Sequence, residues 1–219
     1  MRYKVNFKRL SMRKKVEYIW GYYRWHILGV ICGIAIIVSA VFRTITYKEP
    51  ILSVIMLNSY DSITESTDNG FEEFFKEYGY ENFEEALELK QDLYFQENKE
   101  LDQIDYENYE ILLAMLIGGD YDVFLGTGDV YLEFANQGFF ADLSEILSND
   151  LVDKYEEHII YSNNMGEITP YPAVIILENN PWLVQNNYYN GACYLGILEK
   201  EHINRSAVEF SEFLLKYEK

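Results

Sequence analysis

Three kinds of hydrophobic pattern follow one another along the chain. Residues 27–42, ILGVICGIAIIVSAVF, form an unbroken uncharged run. Extended back to Tyr22, it gives about 31 Å of helix, enough to cross a bilayer if Arg24 snorkels. Residues 51–58, ILSVIMLN, are short, apolar and rich in branched side chains. They run into Asn58-Ser59-Tyr60-Asp61, as a buried strand followed by a turn does. Asn69 and Glu72 then have capping-box spacing, while Phe71, Phe74, Phe75 and Tyr78 recur at the helical period up to Gly79. Leu87, Leu89, Leu93 and Phe95 alternate with polar residues, which predicts a half-exposed strand interrupted at Gln91. Tyr106, Tyr109, Leu112, Leu113 and Leu116 define a second helix ending at Gly118-Gly119.

Beyond it, YDVFLG at residues 121–126 reads as a strand entering the turn Thr127-Gly128-Asp129. Val130, Tyr131, Phe134 and Ala135 give the next helix its apolar face, and Gly138 is placed to cap its C-terminus. Leu143, Ile146 and Leu147 mark a short helical turn, and residues 150–165 hold a further helix and a polar loop. Tyr171 to Leu177 and Cys193 to Leu198 predict strands. Asn204 then opens a last helix whose Ala207, Phe210, Phe213, Leu214 and Tyr217 share one face. Strands and helices alternating at these lengths predict an α/β domain with a mostly parallel sheet and helices on both faces.

Charge divides the chain where the hydrophobic run does. Residues 1–50 hold ten of the 18 Lys/Arg and two of the 36 Asp/Glu, a net +8, whereas residues 51–219 carry −26. Arg2, Lys4, Lys8, Arg9, Arg13, Lys14, Lys15 and Arg24 precede the run against Glu17 alone, with Arg43 and Lys48 just beyond it. The positive-inside bias therefore puts the N-terminus in the cytoplasm and the acidic half outside, with Trp20, Tyr22, Tyr23 and Trp25 forming either an interfacial aromatic belt or one face of a juxtamembrane helix. The expected division is a basic cytoplasmic segment over 1–21, a transmembrane helix over 22–42, a linker over 43–50 and an extracytoplasmic domain over 51–219. Two processed forms compete with this anchor: a secretory signal cleaved after Val38-Ser39-Ala40, and a lipoprotein signal using Cys32 inside the run. Only Cys193 lies in the domain, so no disulfide forms within it, which fits a bacterial envelope. The acidic charge would repel nucleic acid, which is not expected as a partner.

Residues 111–147, ILLAMLIGGDYDVFLGTGDVYLEFANQGFFADLSEIL, combine a helix, a Gly-Asp, an Asp-Val strand, a turn, a helix ending in Ala-Asn-Gln-Gly and an Ala-Asp-Leu. This resembles the first lobe of extracytoplasmic solute-binding proteins of the family 1 type, the receptors that feed ABC importers. Gly166-Glu167-Ile168-Thr169-Pro170-Tyr171-Pro172 is similar to the segment with which that family returns towards its hinge. The resemblance covers roughly residues 51–180 and implies a single-lobe, periplasmic-binding-protein-like domain, since the remaining chain leaves no room for a second lobe. It implies a small-molecule solute as ligand, and a transporter permease or envelope protein as partner beside the lipid bilayer.

No catalytic constellation stands out, and the domain is not expected to be an enzyme. It has His158 and His202, one Cys, no phosphate loop and no nucleophile elbow. No metal or cofactor is expected. His158 sits in an acidic run as a solvated helix residue would. An EF-hand over Glu65–Lys76 fails because Thr67 and Lys76 stand where ligands are needed. Asn204-Arg205-Ser206 matches a glycosylation sequon, and Asn204 equally suits a helix N-cap. Ligands of open α/β sheets sit beyond the carboxyl ends of strands. The candidate ligand-binding residues are thus Asn58, Tyr60, Asp61, Gly126, Thr127 and Asp129, with Trp182 after Asn179-Asn180-Pro181 as an exposed aromatic. Two functions follow: a membrane-anchored solute-binding module, or an accessory subunit that binds protein and no small molecule.

Overall fold

The computed structural model describes residues 11–46, 49–60, 69–80, 86–95, 103–162 and 170–217. The chain divides into two compact units, Met1–Lys48 and Glu49–Lys219.

The described part of the first unit holds one helix, α1 (Met12–Thr46), which starts ten residues before the expected span and is about 52 Å long. Its apolar side chains are turned outwards all around: Leu28, Val30, Ile31, Ile34, Ile36, Ile37, Val38, Val41 and Phe42 are each at least half exposed. The side chains of Tyr22 and Ala40 fall outside the description. Among the described residues no helix is long and apolar enough to cross a membrane.

Among the described residues the second unit carries six strands in the order β2-β1-β3-β6-β5-β4. They are β1 (Leu52–Leu57), β2 (Leu87–Leu93), β3 (Val123–Gly126), β4 (Ile159–Ser162), β5 (Tyr171–Glu178) and β6 (Ala192–Ile197). β1 pairs in parallel with β2 and β3, whereas β3–β6, β6–β5 and β5–β4 are antiparallel. The sheet is therefore mixed rather than mostly parallel. Parallel pairing holds where a helical crossover carries the chain back. Such crossovers are α2 (Asn69–Glu77) between β1 and β2, and α3 (Gln103–Gly118) between β2 and β3. Between β5 and β6 there is only α7 (Pro181–Gln185), and the chain reverses through Asn179, Asn187 and Gly191 at positive φ. Asn179 N–H donates to Gly191 C=O at 3.0 Å and closes that reversal. α4 (Asp129–Ala135), α5 (Leu143–Ile146), α6 (Asn149–Lys154) and a 3₁₀ turn at Glu156–His158 lead from β3 to β4. β4, an edge strand of four residues, replaces the polar loop expected there. α8 (Arg205–Lys216) closes the unit.

Helices cover both faces of the sheet, as the sequence pattern predicts. On one face Val54, Met56, Val123, Leu125, Ile175, Leu195 and Ile197 meet Phe71, Phe74 and Phe75 of α2, Trp182 of α7, and Phe210, Phe213 and Leu214 of α8. On the other, Ile55, Leu57, Phe124 and Val174 meet Leu112 and Leu116 of α3, Tyr131 and Phe134 of α4, and Phe140. The interruption at Gln91 has a cause in register. Ile55 aligns with Lys90, but Leu57 aligns with Leu93, so β2 holds one extra residue. That bulge flips its side chains, sending Leu87 and Leu89 to the first face and Leu93 and Phe95 to the second.

Local chemistry fixes the helix ends. After α2, Gly79 at φ 75 lets Tyr80 N–H reach Phe75 C=O at 2.8 Å and Gly79 N–H reach Lys76 C=O at 3.3 Å, a Schellman stop. Asn204 caps α8 by accepting from Ser206 N–H, and Asn180 caps α7 ahead of Pro181. Asn69 as a cap cannot be placed, because its side chain lies outside the described residues.

Candidate functional site

The carboxyl ends of β1, β2 and β3 lie together, and Asn58 ties them. At φ 58 it occupies the left-handed region that Asn tolerates better than most residues. From there its own N–H donates to Leu93 C=O at 3.0 Å, its Oδ1 accepts from Phe95 N–H at 2.8 Å, and its Nδ2 donates to Thr127 C=O at 3.2 Å. One short amide side chain thus joins the exits of three strands. Tyr189 fills the space beneath, its hydroxyl donating to Leu57 C=O at 2.9 Å and lying 3.4 Å from Leu125 C=O. Burial pushes the Tyr189 phenol well above its ordinary range and pushes the neighbouring Cys193 thiol up as well. Both remain neutral at physiological pH, so Cys193 offers no thiolate nucleophile.

Above this plug the surface is tyrosine-rich. Tyr60 is 60% exposed, and its N–H donates to Tyr188 C=O at 3.0 Å. Tyr94, 39% exposed, donates its hydroxyl to Ser59 C=O at 2.8 Å. Asn108 Nδ2 donates to Tyr94 C=O at 3.0 Å, which brings the start of α3 to the same rim. Tyr106, in the first turn of α3, is 60% exposed rather than part of the apolar face expected for it. Carboxylates accompany these rings: Glu107, Asp129 and Glu133 are exposed, and Tyr109 donates its hydroxyl to Glu133 Oε1 at 3.1 Å. Tyr94 and Tyr106 were not among the sequence candidates. The signal for Tyr94 was its place one residue after β2, at the same strand end that singled out Tyr60.

Five of the seven sequence candidates, Asn58, Tyr60, Gly126, Thr127 and Asp129, meet at this rim, in different roles. Gly126 is a packing glycine: a Cβ there would stand 2.8 Å from Leu57 Cβ and 2.8 Å from Tyr131 Cδ2. Thr127 serves through its carbonyl. Asp129 is the first residue of α4 behind Gly128, where a carboxylate favours the helix dipole. Asp61 lies outside the described residues. Trp182 corrects an expectation. It follows β5 at the same end of the sheet but turns inwards and is 0% exposed. It stands edge-on to Phe71 at 5.2 Å and 85°, with Phe210, Phe213 and Tyr188 around it. The turn before it is polar, but its ring is core and not a ligand platform.

Polar chemistry also gathers at the opposite end of the sheet, where the sequence reading singled out no site. Asp122, buried just before β3, accepts from Ser53 N–H at 2.9 Å and from Lys200 Nζ at 2.8 Å. Asn204 Nδ2 lies 3.4 Å from the same carboxylate and donates to Ile51 C=O at 2.8 Å, where the Ser206 hydroxyl also donates. This network fastens β1, β3, the exit of β6 and the start of α8. Among the described residues, no group of three or more His, Cys, Asp or Glu side chains is placed to hold a metal ion. His158 packs edge-on against Tyr155 at 6.4 Å.

Compared with protein-family models, curated proteins and solved structures, this chain matches none.

Proposed function

We propose that this chain is a single-pass envelope protein whose tyrosine-rich rim binds a protein partner, with α1 as its membrane anchor. The N-terminus faces the cytoplasm and residues 51–219 lie outside. The observation that carries the binding reading is the combination at the strand ends: Tyr189 and Asn58 fill the space beneath, while Tyr60, Tyr94 and Tyr106 face outwards. Exposed tyrosines supply large contact area at small entropic cost, which suits an accessory subunit of a transporter or envelope complex. The anchor rests on the uncharged run over residues 27–42 in the sequence, whose described side chains are turned outwards along α1. Water penalises such a surface, and a lipid phase accepts it. A permease of an importer is the partner that the solute-binding resemblance suggests.

A second reading keeps a small solute at the same rim, favoured by its place beyond the carboxyl ends of parallel strands. The rim of this domain alone buries only part of such a ligand, so micromolar or weaker affinity is expected of the isolated domain.

The test is photo-crosslinking in intact cells from positions 60 and 106, with position 117 on the exposed far part of α3 as control. A discrete adduct from 60 and 106, absent from 117 and weakened by Tyr94→Ala, is expected. Equal labelling from all three positions, or none, together with a solute found by calorimetry, would give the site to the second reading. Protease added outside intact cells should leave a membrane-bound N-terminal fragment. A free mature protein beginning at Val41 would replace the anchor with a cleaved signal.

A further inference from the structure

Resting on the membrane reading above, we propose that the N-terminal part of α1 is a docking surface for anionic phospholipid headgroups. At 35 residues, α1 exceeds the ~20 residues that a hydrocarbon core of ~30 Å requires. Much of the surplus lies on the N-terminal side, because no charged residue falls between Arg24 and Arg43 and the apolar run begins at Ile27. This surplus is two-sided. Met12, Val16, Trp20 and Tyr23 follow one another at helical spacing, all exposed, and lead directly into the apolar run. Arg13, Glu17, Gly21 and Arg24 form the adjoining stripe. Arg24 lies 5.5 Å from the ring centroid of the exposed Trp25. Arg13 stands 3.8 Å from Glu17, the one acidic residue among the first 24, against eight Lys/Arg.

Charge complementarity alone would admit any polyanion. Trp20 and Tyr23 narrow the choice: lying within about 11 Å of Ile27 along the helix axis, these exposed rings need an amphipathic layer beside the negative groups. A bilayer surface containing anionic lipid offers both at the required depth, with aromatic rings at the headgroup level and cations above them. A nucleic acid or an acidic protein face would leave these rings in water.

The full chain, reconstituted in phosphatidylcholine vesicles with or without phosphatidylglycerol, tests this through association of spin-labelled forms of the two lipids. Phosphatidylglycerol should be preferred severalfold, and the preference should shrink as salt rises. Joint replacement by Arg13→Gln, Lys15→Gln and Arg24→Gln should weaken it strongly, each removed cation being worth up to about fivefold. Arg13→Lys with Arg24→Lys keeps the charge and should keep the preference. Equal association of both lipids, a preference indifferent to salt, or a triple variant that behaves as the parent would overturn the proposal. So would tighter binding to RNA than to phosphatidylglycerol vesicles. Extraction by alkaline carbonate separates the two readings. A chain that stays in the membrane without lipid preference keeps its anchor and loses this surface, whereas a chain that is extracted loses the anchor.

Discussion

Lys200 Nζ lies 2.8 Å from Asp122 Oδ1, and the Asp122 side chain is 7% exposed. The same carboxylate holds Ser53 N–H at 2.9 Å, so one acidic group secures two strands and a distant lysine at the amino end of the parallel strands. Asp122→Ala strips these donors of their acceptor and should cost about 3 kcal/mol. Lys200→Met leaves the carboxylate with its amide donor and keeps the aliphatic packing, so about 1–2 kcal/mol is expected. Urea denaturation of both variants checks the order. A smaller loss in Asp122→Ala than in Lys200→Met would contradict the assignment.

Gly126 is required by packing. Its missing Cβ is the space in which Leu57 and Tyr131 approach β3, and the Tyr131 hydroxyl donates to Phe124 C=O at 2.8 Å beside it. Gly126→Ala should destabilise by about 1–3 kcal/mol through overpacking. Pairing it with Tyr131→Leu, which removes the crowding ring, should cost less than the sum of the two single changes. Additive losses in a double-mutant cycle would show that the contact does not limit the site.

What the sequence made legible and what it hid divide along physical lines. The faces of α2 and α8 were readable because Phe71, Phe74 and Phe75, and likewise Phe210, Phe213 and Leu214, repeat with one helical period and bury on one side. Strand direction was not readable. Nothing in the Tyr171–Leu177 or Cys193–Leu198 patterns distinguishes parallel from antiparallel pairing, and the reversal depends on positive φ at Asn179, Asn187 and Gly191. The flip of β2 showed only as a broken alternation at Gln91, because a bulge changes which neighbour faces a residue without changing the residues. Trp182 misled because the polar turn that caps α7 is exposed in sequence logic, while the ring it introduces is drawn into the aromatic core. Asp122 and Lys200 are 78 residues apart, so their pairing appears only once β3 and β6 are neighbours.

Two tyrosine–carboxylate pairs link stability to alkaline pH. Tyr80 donates to Glu209 Oε2 at 2.5 Å, and Tyr121 donates to Glu88 Oε1 at 3.2 Å. Burial first, and then the adjacent carboxylate, pushes each phenol up to about 12. The folded state thus favours the neutral phenol, and this contribution is complete below the ordinary tyrosine value of about 10. It is lost as pH rises from there through about 12. Denaturation midpoints measured across that window, followed by tyrosinate absorbance, should fall. Joint replacement by Tyr80→Phe and Tyr121→Phe should flatten the fall. An unchanged slope would assign the alkaline loss to other groups.

α8 is an integral part of the domain core. Phe210 is fully buried against Phe71 at 5.2 Å and Phe74 at 5.1 Å, and Trp182 stands edge-on to it at 5.6 Å. Phe210→Ala should cost about 3–5 kcal/mol. Removal of residues 206–219 should leave no cooperative unfolding transition, whereas a truncated chain with an intact transition would make the helix an appendage.

Asn58 allows backbone conformation to be separated from hydrogen bonding at the candidate rim. Its φ of 58 suits Gly and Asn, and its side chain makes two bonds, from Phe95 N–H and to Thr127 C=O. Asn58→Gly keeps the conformation and removes both bonds, so about 1–2 kcal/mol should be lost. Asn58→Ala removes the same bonds and adds a strained left-handed alanine, so it should lose about 1 kcal/mol more. Asn58→Asp retains an acceptor for Phe95 N–H but turns the Thr127 contact into a meeting of two oxygens, which places it between the parent and the alanine variant. Photo-crosslinking from position 60 in each variant then reads the rim itself. If Asn58 serves by aligning the exits of β1, β2 and β3, adduct yield should fall in step with stability across the three variants. A yield that collapses in Asn58→Asp while the fold holds would instead mean that the Asn58 amide touches the partner directly.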